Sequence, residues 1–331
     1  MFAVFTLITL AVFILCAAVG SVGIPPQDII SILAAYVKGT AASAGGGTFS
    51  SILAVRLPRV ICVALTGAAL SVCGGAMQGL LRNPLADGST LGVSSGASLG
   101  AVIAIAFGVA IPGVPFAGTA IMAMLFAFLS LILILTLAYR LDFSLSTNTI
   151  ILIGVIYSMF VSSIISFITT LAADKVKQIT FWTMGSLAGS SLSDALAMAI
   201  TLAACGGVIV AQARELNAFA VGEDNARHIG VNVERVKLVI MIAVSALIGV
   251  CVSIGGTIGF VGLVTPHMIR MVSGPNHKRL LPACAFGGAS FLMLADLAAR
   301  TVLNPLELPI GVVTSFIGAL LFIYIFHKTR R

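Results

Sequence analysis

Few side chains in the apolar parts of this sequence could take part in acid–base chemistry. The sequence has 11 Asp and Glu residues, and only Asp296 lies well within an apolar stretch. Arg300 follows at i+4 on the same face of a helix, which favours a local ion pair. A proton-driven pump needs acids or histidines along its spans, because the proton must rest at depth. The scarcity of such groups argues against proton-driven pumping.

The sequence also lacks motifs for binding nucleotides or metals. It contains no GK[ST] sequence and therefore no Walker A loop, so any active process needs a separate ATPase. His228 and His267 are isolated and are interpreted as surface groups. We predict no catalytic residue, no resident cofactor and no metal site. The six cysteines lie in apolar stretches without CxxC spacing and are interpreted as small buried hydrophobic residues: Cys16, Cys62, Cys73, Cys205, Cys251 and Cys284.

The composition excludes a soluble protein. Hydrophobic residues make up 59% of the chain and charged residues 9%, whereas a soluble domain has about 25% charged residues. Most of the exterior must therefore face lipid, which predicts an all-α polytopic membrane protein. The net charge of +7 comes from scattered basic residues that form no nucleic-acid-binding stripe.

Long apolar segments predict the spans, because a helix needs roughly 20 apolar residues to cross about 30 Å of hydrocarbon. The third segment is rich in Gly and Ser, and its Gly96–Gly100 GxxxG pattern favours close helix packing, with a broken helix as the alternative. The eighth segment, at 257–271, is the shortest. The sequence predicts ten spans, at approximately 2–22, 57–81, 91–111, 115–139, 149–172, 195–213, 237–254, 257–271, 280–303 and 308–326.

The distribution of Lys and Arg supports this count, because these residues accumulate in cytoplasmic loops. Ten spans with both termini inside place 12 of the 18 basic residues in the cytoplasm and 6 outside. If the eighth segment did not span, the count would be about 8 inside and about 10 outside. We therefore predict ten spans with both termini cytoplasmic.

Three arginines, Arg56, Arg59 and Arg300, lie at the predicted outer ends of spans, where the charge rule does not place them. Such side chains can extend to lipid phosphates. Alternatively, they form a cationic ring that docks an acidic partner, because the arginine fork matches a carboxylate with two hydrogen bonds.

The cytoplasmic segment 214–236 carries a helical pattern. Glu223 and Asp224 suit the start of a second helix, and Gly230 suits its end. Two short helices under the bundle would present a rigid knob to a cytoplasmic partner, and a solvated loop is the alternative.

Specific motifs run from Arg56 to the C-terminus. They are Arg56–Arg59 (RLPR), Gly75–Ala97 with Arg82-Asn-Pro-Leu-Ala86, Gly222–Asn232, Gly259–Arg270, Leu294–Arg300 and Glu307–Gly311. In combination they resemble the FecCD type of permease, the membrane subunit of type II ABC importers for iron-siderophores, haem and cobalamin. One departure is Gly88, which stands where a proline is frequent in that family.

The resemblance implies that residues 1–331 form a single transmembrane permease domain of the bacterial cytoplasmic (inner) membrane. It implies a second permease subunit, identical or different, and two cytoplasmic ATPase subunits that bind ATP and Mg²⁺. A substrate-binding protein, periplasmic or lipid-anchored, would deliver the cargo. A secondary transporter driven by an ion gradient and a structural membrane protein are the rival hypotheses.

The resemblance also assigns roles to individual residues. Arg56, Arg59 and Arg300 would dock the binding protein, and Trp182 and Met184 would lie at the cavity entrance. Asn83, Leu85, Thr147 and Asn148 would form a cytoplasmic gate. The residues that would form the coupling helix seated in the ATPase are Gly222, Glu223, Asp224, Ala226, Arg227, Gly230 and Asn232.

Overall fold

The computed structural model describes residues 1–20, 48–111, 117–143 and 146–329. Every regular element within those ranges is helical. The helices in chain order are α1 (Phe2–Ala18), α2 (Thr48–Leu80), α3 (Val93–Phe107), α4 (Ala117–Leu141), α5 (Thr147–Leu171), α6 (Val176–Thr183), α7 (Leu192–Ala211, with a π-helical turn at Leu202–Gly206), α8 (Ala213–Phe219), α9 (Glu223–His228), α10 (Val233–Gly255), α11 (Val261–Ser273), α12 (His277–Thr301) and α13 (Ile310–Thr329).

Short polar side chains set where several of these helices begin. The Ser146 hydroxyl accepts a hydrogen bond from the Thr149 amide at the start of α5. Ser191 and Asp194 form a reciprocal capping box at the start of α7. These side chains satisfy amide groups that the first helical turn leaves without partners.

Each of the ten predicted apolar segments contains a helix. Six of them are long and apolar enough to cross a membrane, and α1, α3 and the apolar part of α13 are shorter apolar helices. Helix α11 begins at Val261, after Gly256 and Phe260 adopt positive φ angles, and has 13 residues. It is therefore about 20 Å long, less than the hydrocarbon thickness. These helices support a multi-pass membrane protein, and the ten-span count and the orientation stay predictions.

Helices α2, α10 and α12 form the centre of the bundle, and most of their apolar windows are buried. Glycines let them approach closely. A Cβ atom on Gly67 of α2 would lie 2.2 Å from the Gly288 carbonyl oxygen of α12, so neither position admits a side chain. A Cβ atom on Gly96 of α3 would lie 1.7 Å from the Ser130 hydroxyl of α4. The GxxxG pattern is therefore a packing feature, as the first of its two interpretations predicted.

Helices α4, α5 and α7 lie at the outside of the bundle and are mostly exposed. Many of their exposed residues are large and apolar, for example Phe128, Phe160 and Leu196, and α5 also exposes the hydroxyl side chains of Ser162, Ser163, Ser166 and Thr170. Such surfaces suit lipid, as the composition predicted.

Candidate functional site

The segment 214–236 forms the two short helices α8 and α9, so the alternative of a solvated loop is wrong. Gly222 precedes α9 with φ 110° and ψ 150°, a conformation open essentially only to glycine. Gly230 follows α9 with φ 91°. Between them Ala226 is fully buried, and its carbonyl accepts a hydrogen bond from the Val231 amide at 3.0 Å. The segment is therefore a defined turn anchored against the bundle.

Glu223 connects this segment to two long helices. Its Oε2 atom lies 2.8 Å from Nζ of Lys237 on α10, and the Lys237 side chain is completely buried. Its Oε1 atom accepts a hydrogen bond of 3.4 Å from the Thr147 hydroxyl at the start of α5. One carboxylate therefore joins the predicted coupling segment to a predicted gate residue.

The remaining coupling residues hold α9 and the start of α10 together. Arg227 pairs with Glu234 at 2.6 Å and more loosely with Asp224 at 3.9 Å. The Asn232 side chain caps α10 by accepting a hydrogen bond of 3.0 Å from the Arg235 amide. These contacts are exposed, so each contributes little stability alone.

Helix α8 has an attachment of its own, which the sequence motifs did not indicate. The Asn217 side-chain oxygen accepts a hydrogen bond of 2.9 Å from the His277 amide at the start of α12, and it lies 2.8 Å from Nδ1 of the His277 ring. Its amide nitrogen donates to the Asn276 side chain at 3.0 Å. The two short helices are thus fastened to α5, α10 and α12.

An open cleft of about 500 Å³ lies beside α9. It brings the predicted coupling and gate regions together, including Thr147 and Asn148. Asn83 and Leu85 are not among its lining residues; the Asn83 side chain accepts a hydrogen bond from the Leu85 amide at 2.9 Å, and Leu85 is half exposed. The lining residues are Leu81, Arg82, Ser146, Thr147, Asn148, Gly222, Glu223, Asp224, Asn225 and Arg227.

Asp296 organises a second charged cluster at the other end of the bundle. Its Oδ2 atom lies 2.9 Å from Nε of Arg300, which confirms the ion pair predicted from the i+4 spacing. Its Oδ1 atom accepts hydrogen bonds from Nε and Nη2 of Arg59 at 3.1 and 2.9 Å. Asp296 is 2% exposed, so two arginines neutralise a buried carboxylate.

The other arginine contacts go to the end of α1. Arg56 donates to the carbonyl oxygens of Ala17 and Ala18 at 3.1 and 3.3 Å, and Arg300 donates to that of Cys16 at 3.2 Å. The last carbonyls of a helix have no intrahelical partner, so these arginines cap α1.

The arginine side chains are therefore turned inward. Arg56, Arg59 and Arg300 are only 8%, 9% and 6% exposed, so their guanidinium groups bind groups of the chain itself, and their docking role stays a prediction. Glu307, in the turn after α12, completes the cluster through an ion pair of 2.8 Å with Arg59. The sequence included Glu307 in a motif but gave no signal that it faces Arg59.

The region around α6 is held by backbone hydrogen bonds. The Gly311 amide donates to the Met184 carbonyl at 3.1 Å, and the Ser186 amide donates to the Gly255 carbonyl at 2.8 Å. Met184 lines an open cavity of about 690 Å³ together with residues of α13. Trp182 is half-buried and packs against the hydrophobic core, outside the lining of that cavity.

Asp87 is a partly buried acid, and the sequence did not reveal this partial burial. It lies between α2 and α3, where its Oδ1 atom accepts hydrogen bonds from the Ser89 amide at 2.9 Å and the Thr90 amide at 3.1 Å. Removal from water raises the pKa of this carboxyl group, and the hydrogen bonds partly oppose that shift.

Among the described residues, no three His, Cys, Asp or Glu side chains lie close enough to hold a metal ion. The cysteines are not joined in disulfides, and five of the six are buried. Their interpretation as hydrophobic packing residues agrees with these positions.

The model of the FecCD transport family matches residues 8–328 of this chain. The chain is 40% identical to YvrB, an uncharacterized ABC transporter permease protein of Bacillus subtilis strain 168, over 96% of this chain and 90% of that protein. It is 38% identical to the hemin transport system permease protein HmuU of Yersinia pestis, over 84% and 83%. It is 37% identical to the cobalamin import system permease protein BtuC of Halobacterium salinarum, over 82% and 72%.

A solved structure has the same fold. It is described as an inward-facing conformation of a metal-chelate type ABC transporter, and it aligns with a TM-score of 0.82 and 29% identity. The alignment covers 98% of this chain and 97% of that one.

Proposed function

Because this chain belongs to the FecCD transport family, we propose that it is the permease subunit of an ATP-driven importer for a metal chelate. The iron-siderophore, haem and cobalamin classes are the proposed cargo. Relatives named for hemin transport and cobalamin import support this choice. The chain itself performs no covalent chemistry in this proposal.

The proposed topology has ten spans in the cytoplasmic membrane, with both termini in the cytoplasm and residues 1–331 forming one permease domain. The segments α1, α3, α11 and α13 would cross as shorter helices within the bundle. Support comes from the basic residues, 12 of 18 of which then lie inside.

The contact of Glu223 with both Thr147 and Lys237 is the observation that supports the mechanism. In the proposed assembly two permease subunits, identical or different, stand on two ATPase subunits. ATP binding and hydrolysis move the ATPases, and the residues from Gly222 to Asn232 receive that movement. Glu223 passes it to α5 and α10, where Thr147 and Asn148 border the cytoplasmic gate with Asn83 and Leu85. Alternating access then follows from a shift between two populated states.

At the outer end, a substrate-binding protein would dock at Arg56, Arg59 and Arg300 and release cargo near Trp182 and Met184. Few charged side chains lie in the spans, which suits a route that releases its cargo readily. Selection of the cargo would then fall to the binding protein.

Reconstitution tests this proposal. Proteoliposomes holding the permease, with or without its ATPase, are given cyanocobalamin, haemin or a ferric siderophore together with the cognate binding protein. We expect one of the three compounds to be taken up, and only when the ATPase is present and ATP is supplied on the side of the membrane where the ATPase lies. Accumulation driven by a proton or sodium gradient, without the ATPase, would contradict the proposal and favour a secondary transporter.

A further inference from the structure

We propose that Glu307 is a built-in competitor for the docking partner, occupying on Arg59 the place that a carboxylate of that partner takes. The inference rests on the proposed docking role of the outer arginines. In the free permease Glu307 occupies Arg59, and docking replaces the Glu307 carboxylate with a carboxylate of the partner.

Arg59 is the arginine at which such an exchange can occur. Its Nε and Nη2 atoms hold Asp296, and its Nη1 atom holds Glu307 at 2.8 Å. The guanidinium group therefore already binds two carboxylates along two of its edges. An incoming carboxylate that binds the Nη1 atom in the same way competes with Glu307 for that position.

Only one of the two carboxylates can be replaced. The Asp296 side chain is 2% exposed and is also paired with Arg300. The Glu307 side chain is 47% exposed and lies in the turn between α12 and α13. Glu307 can leave for water at little electrostatic cost, because an exposed carboxylate is readily hydrated.

The charge of the cluster favours an acidic partner once Glu307 has left. Three arginines and two carboxylates give a formal charge of 3 − 2 = +1, and without Glu307 the charge is 3 − 1 = +2. Exposed apolar side chains flank Glu307, namely Val302, Leu303 and Leu306. A protein surface that presents a Glu or Asp beside apolar residues fits this combination.

A peptide-binding experiment tests the competition. The permease in phosphatidylcholine nanodiscs is titrated with a fluorescein-labelled hexaglutamate peptide, followed by fluorescence anisotropy. Glu307→Gln should bind this probe roughly three- to tenfold more tightly than wild type at low salt, because a like charge has been removed. The difference should disappear at about 0.5 M salt, where exposed charges are screened.

The matched control is Asp174→Asn. Asp174 is an exposed carboxylate in a loose ion pair with Lys175, outside the arginine cluster. Its substitution removes the same charge and should leave the affinity for the peptide unchanged, and Glu307→Asp should retain the wild-type affinity. Equal tightening in Glu307→Gln and Asp174→Asn would overturn the proposal, because net charge alone would then explain both.

A further variant separates this inference from the docking role itself. Arg56→Gln removes a cation that donates hydrogen bonds to the α1 carbonyls of Ala17 and Ala18. It is preferred to Arg300→Glu, which would place a second carboxylate beside the buried Asp296. If Arg56→Gln weakens peptide binding but Glu307→Gln does not strengthen it, the docking surface stands and the competition is wrong. If neither variant changes the affinity, the docking role of this surface is wrong as well.

Discussion

The two charged clusters of this protein are built differently. One of them, which we predict to lie outside and call the outer cluster, joins long helices, with Asp296 buried between Arg59 on α2 and Arg300 on α12, and it caps α1 as well. The other, which we predict to lie in the cytoplasm, joins the six-residue helix α9 to α5 and α10 through the single carboxylate of Glu223.

This difference suits a structural role for the outer cluster and the proposed transmitting role for the cluster at Glu223. A carboxylate shared by two buried arginines stabilises the packing of the helices that carry it, and it cannot move without exposing unpaired charge. A carboxylate on a short, partly exposed helix can move with a partner and pull two long helices with it. In the outer cluster, therefore, only Glu307 can be exchanged for a carboxylate of a partner. In the cytoplasmic segment, the whole of α9 is available to move with a partner.

The largest expected effect is on the outer cluster. Asp296→Asn leaves Arg59 and Arg300 close together without their shared counter-charge, and breaking a buried pair costs about 3–5 kcal/mol. We expect a loss of that order in the free energy of unfolding, measured by denaturant titration in detergent. Asp174→Asn, at a largely exposed aspartate in a loose ion pair, is the control and should change stability by less than about 1 kcal/mol. Similar losses in both variants would show that Asp296 is not the centre of this cluster.

An intermediate effect is expected for Glu223→Gln. The amide keeps the shape of the side chain but removes the charge that faces the buried Lys237. We expect a loss of about 2 kcal/mol in stability, less than for Asp296 because Glu223 is partly hydrated. In the reconstituted importer, ATP hydrolysis should continue while uptake per ATP falls. Asp174→Asn removes an exposed carboxylate outside the coupling segment and should preserve the uptake per ATP. An unchanged ratio of uptake to ATP hydrolysis in Glu223→Gln would exclude Glu223 as the connection.

The smallest effect is expected for Arg227→Ala. Its ion pair with Glu234 at 2.6 Å is short, but both side chains are more than 40% exposed. A double-mutant cycle with Glu234→Ala should give a coupling energy of about 0.2–1 kcal/mol, reduced further by salt. A coupling energy of several kcal/mol would mean that the exposed contacts of α9 stabilise it as firmly as Asp296 stabilises the outer cluster.

Much of the fold could be predicted from the sequence. The apolar segments located a helix in each of ten places, and the Asp296–Arg300 spacing predicted their ion pair. The helix boundaries were less accurate at α11, which starts at Val261 instead of about 257, because Gly256 and Phe260 have positive φ angles. Hydropathy does not report such angles, since they depend on how the turn packs against its neighbours.

The candidate site could be predicted only in part. The motifs indicated the segment from Gly222 to Asn232, and its two helices are present. They did not indicate that Glu223 reaches Thr147, that Asn217 attaches α8 to His277, or that Arg82 lines the cleft. These contacts join residues far apart in the chain, and no local pattern specifies them.

By itself, the sequence determined that this chain is a bundle of apolar helices, because so few charged residues cannot cover a water-exposed surface. Its motifs also determined the family. Only the tertiary structure decided which way the outer arginines point and which carboxylates they hold. The physical reason is that an arginine at a helix end can reach lipid, a partner or its own chain. The choice depends on whether another helix brings an acid and free carbonyl groups within about 3 Å, as α12 and α1 do here.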